Sequence, residues 1–70
     1  MMPLSLADPG KEQIIAKVGG NAEVRQHLEN LGFVVGGPVT VVSIHKGNVI
    51  VKVKESRIAL NEEMARKIMV

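Results

Sequence analysis

The sequence lacks cysteine, tryptophan and tyrosine, and Phe33 is its only aromatic residue. Without cysteine, the chain has no disulfide, no thiolate metal site and no cysteine nucleophile. With one aromatic residue, the core has to be built from aliphatic side chains. Hydrophobic residues make up 46% of the 70 residues, enough for one compact barrel or small sheet. We therefore expect a single domain over residues 1–70, without a deep active-site cleft.

Long hydrophobic runs are also missing. No apolar stretch approaches the ~20 residues that span a bilayer. The start of the sequence, MMPLSLADPGKEQ, has neither the basic end nor the apolar centre of a signal peptide. We expect the chain to stay in the cytoplasm. Pro3, Pro9 and Gly10 predict an irregular N-terminal segment over residues 1–10.

The net charge is small, because nine Lys and Arg against seven Asp and Glu give +2. This excess does not by itself indicate nucleic-acid binding. No aromatic residues are interleaved with the basic ones to stack bases, so we interpret the basic residues as a solvated surface. Most of them lie in the second half of the chain: Lys46, Lys52, Lys54, Arg57, Arg66 and Lys67.

One helix of about three turns is predicted between Asn21 and Gly32. Asn21 is a suitable N-cap, and Glu23 complements the positive end of the helix dipole in the first turn. Gly32 suits a left-handed C-terminal cap. Three apolar residues at helical spacing form the stripe expected to face the core: Val24, Leu28 and Leu31.

About five short strands are predicted around this helix. The first covers Glu12 to Val18. The second runs over residues 39–45, and its alternation breaks between Val41 and Val42, which indicates either a bulge or burial on both faces.

Residues 45–49, HKGNV, predict a hairpin turn that leads into a cleanly alternating strand. Ile58 and Leu60 then form a short strand, Asn61 caps a single helical turn, and KIMV is the last strand. The alternating strand has a core set and an outer set: Val49, Val51 and Val53 inside, and Ile50, Lys52 and Lys54 outside.

Side chains with catalytic potential are few and lack the required spacing. His27 and His45 are the only histidines, and two are too few for a metal site of fixed geometry. Glu62 and Glu63 lie at a helix start, where their negative charges interact favourably with the positive end of the helix dipole. The sequence has no nucleophile elbow and no phosphate-binding loop. We predict no enzyme, no metal site and no cofactor.

The segment VRQHLENLGFVVGGPVTVV resembles the core signature of the ferrous iron transport protein A family. That signature is an Arg-x-x-Leu-x-x-Leu-Gly helix end followed by a glycine turn and a valine-rich strand. SRIALNEEMARKIMV is similar to the closing segment of the family, so the resemblance covers residues 10–70. In one departure, Val35 precedes Gly36 where the family often has proline, which leaves the turn type open.

The resemblance implies a mainly β fold: an SH3-like β-barrel of about five strands, with one short helix after the first. It also implies a non-enzymatic accessory or regulatory role in bacterial ferrous iron uptake. The implied partner is the ferrous iron transport protein B, a membrane transporter whose cytoplasmic G domain binds GTP, and the membrane would be reached only through this partner. We predict that the contact is made by the exposed helix face and the residue at its end: Arg25, Gln26, Glu29 and Phe33.

Two other functions compete with this interpretation. GGPVTVVSIHKGNVIVKV also resembles the KOW-type ribosomal barrels, which bind RNA, although the small basic excess and the missing aromatics count against it. A homo-oligomeric structural module is the other, because Ile50 is apolar on the predicted outer face of its strand.

Overall fold

The computed structural model describes all 70 residues and contains six strands and two α-helices. A four-stranded antiparallel sheet has the order β1-β3-β4-β5, and β2 and β6 form a second, two-stranded sheet. In chain order the elements are β1 (Glu12–Ile14), β2 (Lys17–Val18), α1 (Ala22–Leu31), β3 (Pro38–His45), β4 (Asn48–Val53), β5 (Ser56–Leu60), α2 (Glu62–Ala65) and β6 (Ile68–Met69).

The first predicted strand, residues 12–18, is in fact two strands that belong to different sheets. β1 pairs with β3, and β2 pairs with β6. Between them, the Ile15 N–H donates to the Gly37 carbonyl at 2.9 Å and the Ala16 N–H donates to the Met69 carbonyl at 2.8 Å. The chain therefore passes from one sheet to the other at this point, which raises the strand count from five to six.

β3 contains a bulge where its alternation breaks. The register passes from the pair Val41 and Val51 to the pair Ser43 and Ile50, so Val42 is the extra residue. A bulge bends the strand and increases its twist, as a small closed sheet requires. Of the two alternatives for this break, the structure selects the bulge.

Two hairpins join β3, β4 and β5. In the first turn, Lys46 and Gly47 both have positive φ, at 52° and 82°, as a type I′ turn requires. The Asn48 side chain accepts a hydrogen bond from the Glu62 N–H at 3.2 Å, which ties this hairpin to the start of α2. The buried residues of β4 are those predicted: Val49, Val51 and Val53.

The N-terminal segment is more ordered than expected. Residues Leu4–Leu6 form a 3-10 helix, and Leu4 is fully buried. Met2 and Val70 exchange two backbone hydrogen bonds of 2.9 and 2.8 Å, so the start of the chain extends the sheet at β6. The prediction that residues 1–10 lack regular structure is wrong for this part, because it could not anticipate pairing with the last strand.

One cluster of 14 buried residues forms the core, and all of them are aliphatic except Phe33. α1 contributes Leu28 and α2 contributes Ala65, while the strands supply most of the remainder. Neither helix has the length or the continuous apolar sequence needed to cross a bilayer.

Candidate functional site

Helix α1 is fixed at both ends. The Asn21 side chain accepts a hydrogen bond from the Val24 N–H at 2.8 Å. At the other end, Gly32 adopts φ of 110°, and its N–H donates to the Glu29 carbonyl at 2.9 Å. Both predicted caps are confirmed. Because each end is capped by a local hydrogen bond, the helix holds its outer face in a defined position on the barrel.

Three of the predicted contact residues lie on that outer face. Arg25, Gln26 and Glu29 are exposed, and Gln26 Nε2 donates to the Asn30 side chain at 3.0 Å. Neither Arg25 nor Glu29 takes part in any of the three ion pairs of the molecule. Their charged groups are therefore available to another molecule.

The fourth predicted contact residue, Phe33, is not on the surface. Its side chain is 0% exposed and is the largest in the core. Gly32 reverses the chain in its left-handed conformation, and the Phe33 N–H then donates to the Leu28 carbonyl at 3.0 Å. The prediction that Phe33 contacts a partner protein at the surface is wrong. Burying this ring in an aliphatic barrel fills more volume, and removes more apolar surface from water, than burying any other side chain of this sequence would.

The helix stripe is also narrower than predicted. Leu28 is buried and Val24 is half-buried, but Leu31 is 36% exposed. A single short helix on a small barrel touches the core along one line only, and Leu31 lies to one side of that line. The prediction that Leu31 is a core residue is therefore wrong.

A groove of about 490 Å³ lies beside the outer face of α1, between α1 and α2. Half-buried Val24 and Met64 form its apolar part, and polar side chains form its rim. The Met64 thioether can adapt to different partner shapes. Six residues line the groove: Glu23, Val24, Gln26, His27, Asn30 and Met64.

The sequence did not reveal this groove. Met64 lies in α2, far along the chain from α1, and only the tertiary fold brings the two together. The contribution of His27 and Asn30 depends on the same packing. Gln26 belongs both to the groove and to the predicted contact face, so the two form one continuous surface.

The histidines do not come together. His27 lies in the groove on α1, and His45 ends β3. The structure contains no group of three or more His, Asp or Glu side chains that could hold a metal ion. The site therefore offers hydrogen-bonding and charged groups around a small apolar floor, a combination suited to contact with another protein.

The fold and this surface define a small β-barrel domain whose helix presents its polar side outwards. The chain belongs to the FeoA domain family, whose model matches residues 2–70. The resemblance to the ferrous iron transport protein A family is thereby confirmed.

Known relatives agree in both sequence and structure. An Fe(2+) transport protein A assigned in Methanocaldococcus jannaschii is 36% identical over 70 residues, covering 100% of this chain and 85% of the relative. The crystal structure of an iron uptake regulatory protein, FeoA, is 28% identical with a TM-score of 0.87, covering 96% of this chain and 91% of that one. Stenotrophomonas maltophilia FeoA, complexed with zinc, is 25% identical with a TM-score of 0.83, covering 99% of this chain and 88% of that one. It is described as an SH3 domain protein, and the predicted SH3-like fold is confirmed.

Proposed function

We propose that the protein is a non-enzymatic accessory protein of ferrous iron uptake, and that it acts in the cytoplasm by contact with the membrane transporter protein B. Membership of the FeoA domain family supports this role. So do the name of the M. jannaschii relative and the description of S. maltophilia FeoA as a candidate activating factor of ferrous iron transport.

The observation that carries the proposal is the surface of α1 and its groove. Arg25 and Glu29 present opposite charges without partners in the chain, and Gln26 links them to the groove floored by Val24 and Met64. A small apolar pocket beside unpaired polar groups can anchor one partner side chain and fix its orientation.

A titration tests the proposal. Isotope-labelled protein is titrated with the isolated cytoplasmic domain of transporter protein B, with and without a GTP analogue, while the amide shifts are followed. We expect shifts at residues 23–31 and at Met64. Dependence on nucleotide would indicate that the contact is linked to the GTP cycle.

A pair of charge-swapped variants locates the contact. Arg25→Glu/Glu29→Lys keeps the net charge and should abolish the shifts. The control Asp8→Lys/Lys11→Glu exchanges the members of an exposed ion pair elsewhere and should leave them intact. The absence of shifts at near-millimolar transporter domain would refute contact with that domain. Unchanged binding by the first variant would remove the α1 face from the proposal.

A further inference from the structure

One face of the four-stranded sheet is open. Along each strand, side chains that point into the core alternate with side chains that point away from it, and the second set is exposed except for the half-buried Thr40. We call this second set the outer sheet face. The strand register places eleven residues on it: Glu12, Ile14, Pro38, Thr40, Ser43, His45, Asn48, Ile50, Lys52, Arg57 and Ala59.

One row across this face has an uneven charge pattern. Glu12 pairs with Thr40, Thr40 pairs with Lys52, and Lys52 pairs with Arg57. Two like charges therefore lie directly opposite each other on β4 and β5, an arrangement that destabilises a sheet. Glu12 is three strand spacings, about 14 Å, from Arg57, too far to neutralise it. None of the three ion pairs in the molecule involves Glu12, Lys52 or Arg57.

This row is complementary to itself. If a second copy is turned by a half-rotation about an axis parallel to the strands and laid face to face, the order of its row is reversed. Glu12 of each copy then faces Arg57 of the other, and Lys52 faces Thr40. Stacked sheets usually keep their strands roughly aligned, which this operation does. A half-rotation about the perpendicular axis would instead set Lys52 against Lys52 and Arg57 against Arg57, so charge selects the first arrangement.

The apolar residues of the face support the same contact. Ile50 is 43% exposed, and its cross-strand neighbours, Ser43 and Ala59, are small, so its side chain stands above them. Ile14, at the edge of the face, is 56% exposed. Packing one face against another would remove these side chains from water.

We propose that the outer sheet face pairs two copies of the chain into a two-fold symmetric dimer. The two Glu12–Arg57 contacts between the copies lie at the ends of the row, and Lys52 lies opposite Thr40 between them. Ile50 lies beside this row, where the same rotation places it against Ser43 of the second copy. A stable interface buries ~800 Å² per partner, and this contact uses only one face of a small sheet, so we expect the dimer to form weakly and to depend on concentration. Arg25, Gln26 and Glu29 are not part of this face, so α1 stays available to a different partner.

Sedimentation equilibrium of the full chain tests this proposal. Between about 10 μM and about 1 mM protein at low salt, we expect the average mass to rise from monomer towards dimer, and to rise less at high salt. Glu12→Arg and Arg57→Glu should each raise the dimer dissociation constant at least about tenfold. An equimolar mixture of the two variants should restore association, because the reversed charges match across the mixed dimer.

Matched controls separate this contact from a general effect of charge. Glu29→Arg and Arg25→Glu make the same charge changes on α1 and should leave the association unchanged. Loss of the fold would not explain a monomeric Arg57→Glu variant, because this change places opposite charges on paired residues and should preserve or raise the melting temperature. A wild-type chain that is monomeric throughout the range overturns the proposal. The proposal is also overturned if the equimolar mixture of the two variants is folded but stays monomeric. It is overturned as well if Glu12→Arg and Arg57→Glu each leave the dimer dissociation constant unchanged.

Discussion

Removing the Phe33 ring should severely destabilise the protein. The side chain is 0% exposed and is the only aromatic group in an aliphatic core of 14 residues. Phe→Ala at such a position costs about 3–5 kcal/mol, because apolar burial is lost and a cavity remains. A domain of this length has roughly 4–10 kcal/mol of stability in total, so Phe33→Ala should leave little of it. Phe33→Leu keeps most of the volume and should cost only about 1–2 kcal/mol.

Urea unfolding followed by far-ultraviolet circular dichroism measures this effect, since the chain has no tryptophan or tyrosine to report fluorescence. In thermal unfolding followed by the same signal, the melting temperature of Phe33→Ala should lie at least about 12 °C below that of the wild-type chain. The control is Val35→Ala, two residues further along and 66% exposed, which should change the unfolding free energy by less than ~0.5 kcal/mol. A cost below ~1 kcal/mol for Phe33→Ala as well would show that the ring is not packed in the core of the barrel.

Three further predictions concern local features. Asn21→Ala removes the α1 cap and should cost about 1 kcal/mol in denaturant unfolding, whereas Asn30→Ala, in the exposed last turn of the same helix, should cost much less. Gly36→Ala and Gly47→Ala should each cost about 1–2 kcal/mol for their positive φ. Gly47→Ala should cost slightly more than Gly36→Ala, because its new Cβ would lie 2.5 Å from a Glu62 carboxylate oxygen and this flexible side chain would have to move aside, and Glu62→Ala should remove the difference between the two. Salt should have little effect on monomer stability, with less than ~1 kcal/mol lost between low and high salt, because each of the three ion pairs has at least one largely exposed member; a larger loss would contradict this.

The two proposed contacts use different parts of the molecule and can be tested separately. The transporter contact depends on Arg25 and Glu29, and the dimer depends on Glu12 and Arg57. Each pair serves as the control for the other, because the charge changes match while the surfaces do not. A variant that affects both measurements would indicate a general effect on folding, which melting curves would reveal.

Local signals in the sequence determined the ends of helix α1, the start of α2 and the alternation within β4. Asn21, Gly32 and Asn61 cap helices because their own side chain or backbone conformation satisfies neighbouring peptide groups. The buried valines of β4, and the position after Val41 at which the alternation of β3 breaks, follow from the two-residue period of a strand. These features depend on residues a few positions apart, so a sequence is enough to predict them.

Only the tertiary structure decided which apolar side chains the barrel could enclose. It divided the first predicted strand between two sheets, buried Phe33 and left Leu31 at the surface. It also joined Met64 to α1 in one groove and aligned Glu12 with Arg57 across four strands. These outcomes depend on contacts between distant segments and on the limited volume of one small core, and no local pattern in a sequence encodes either.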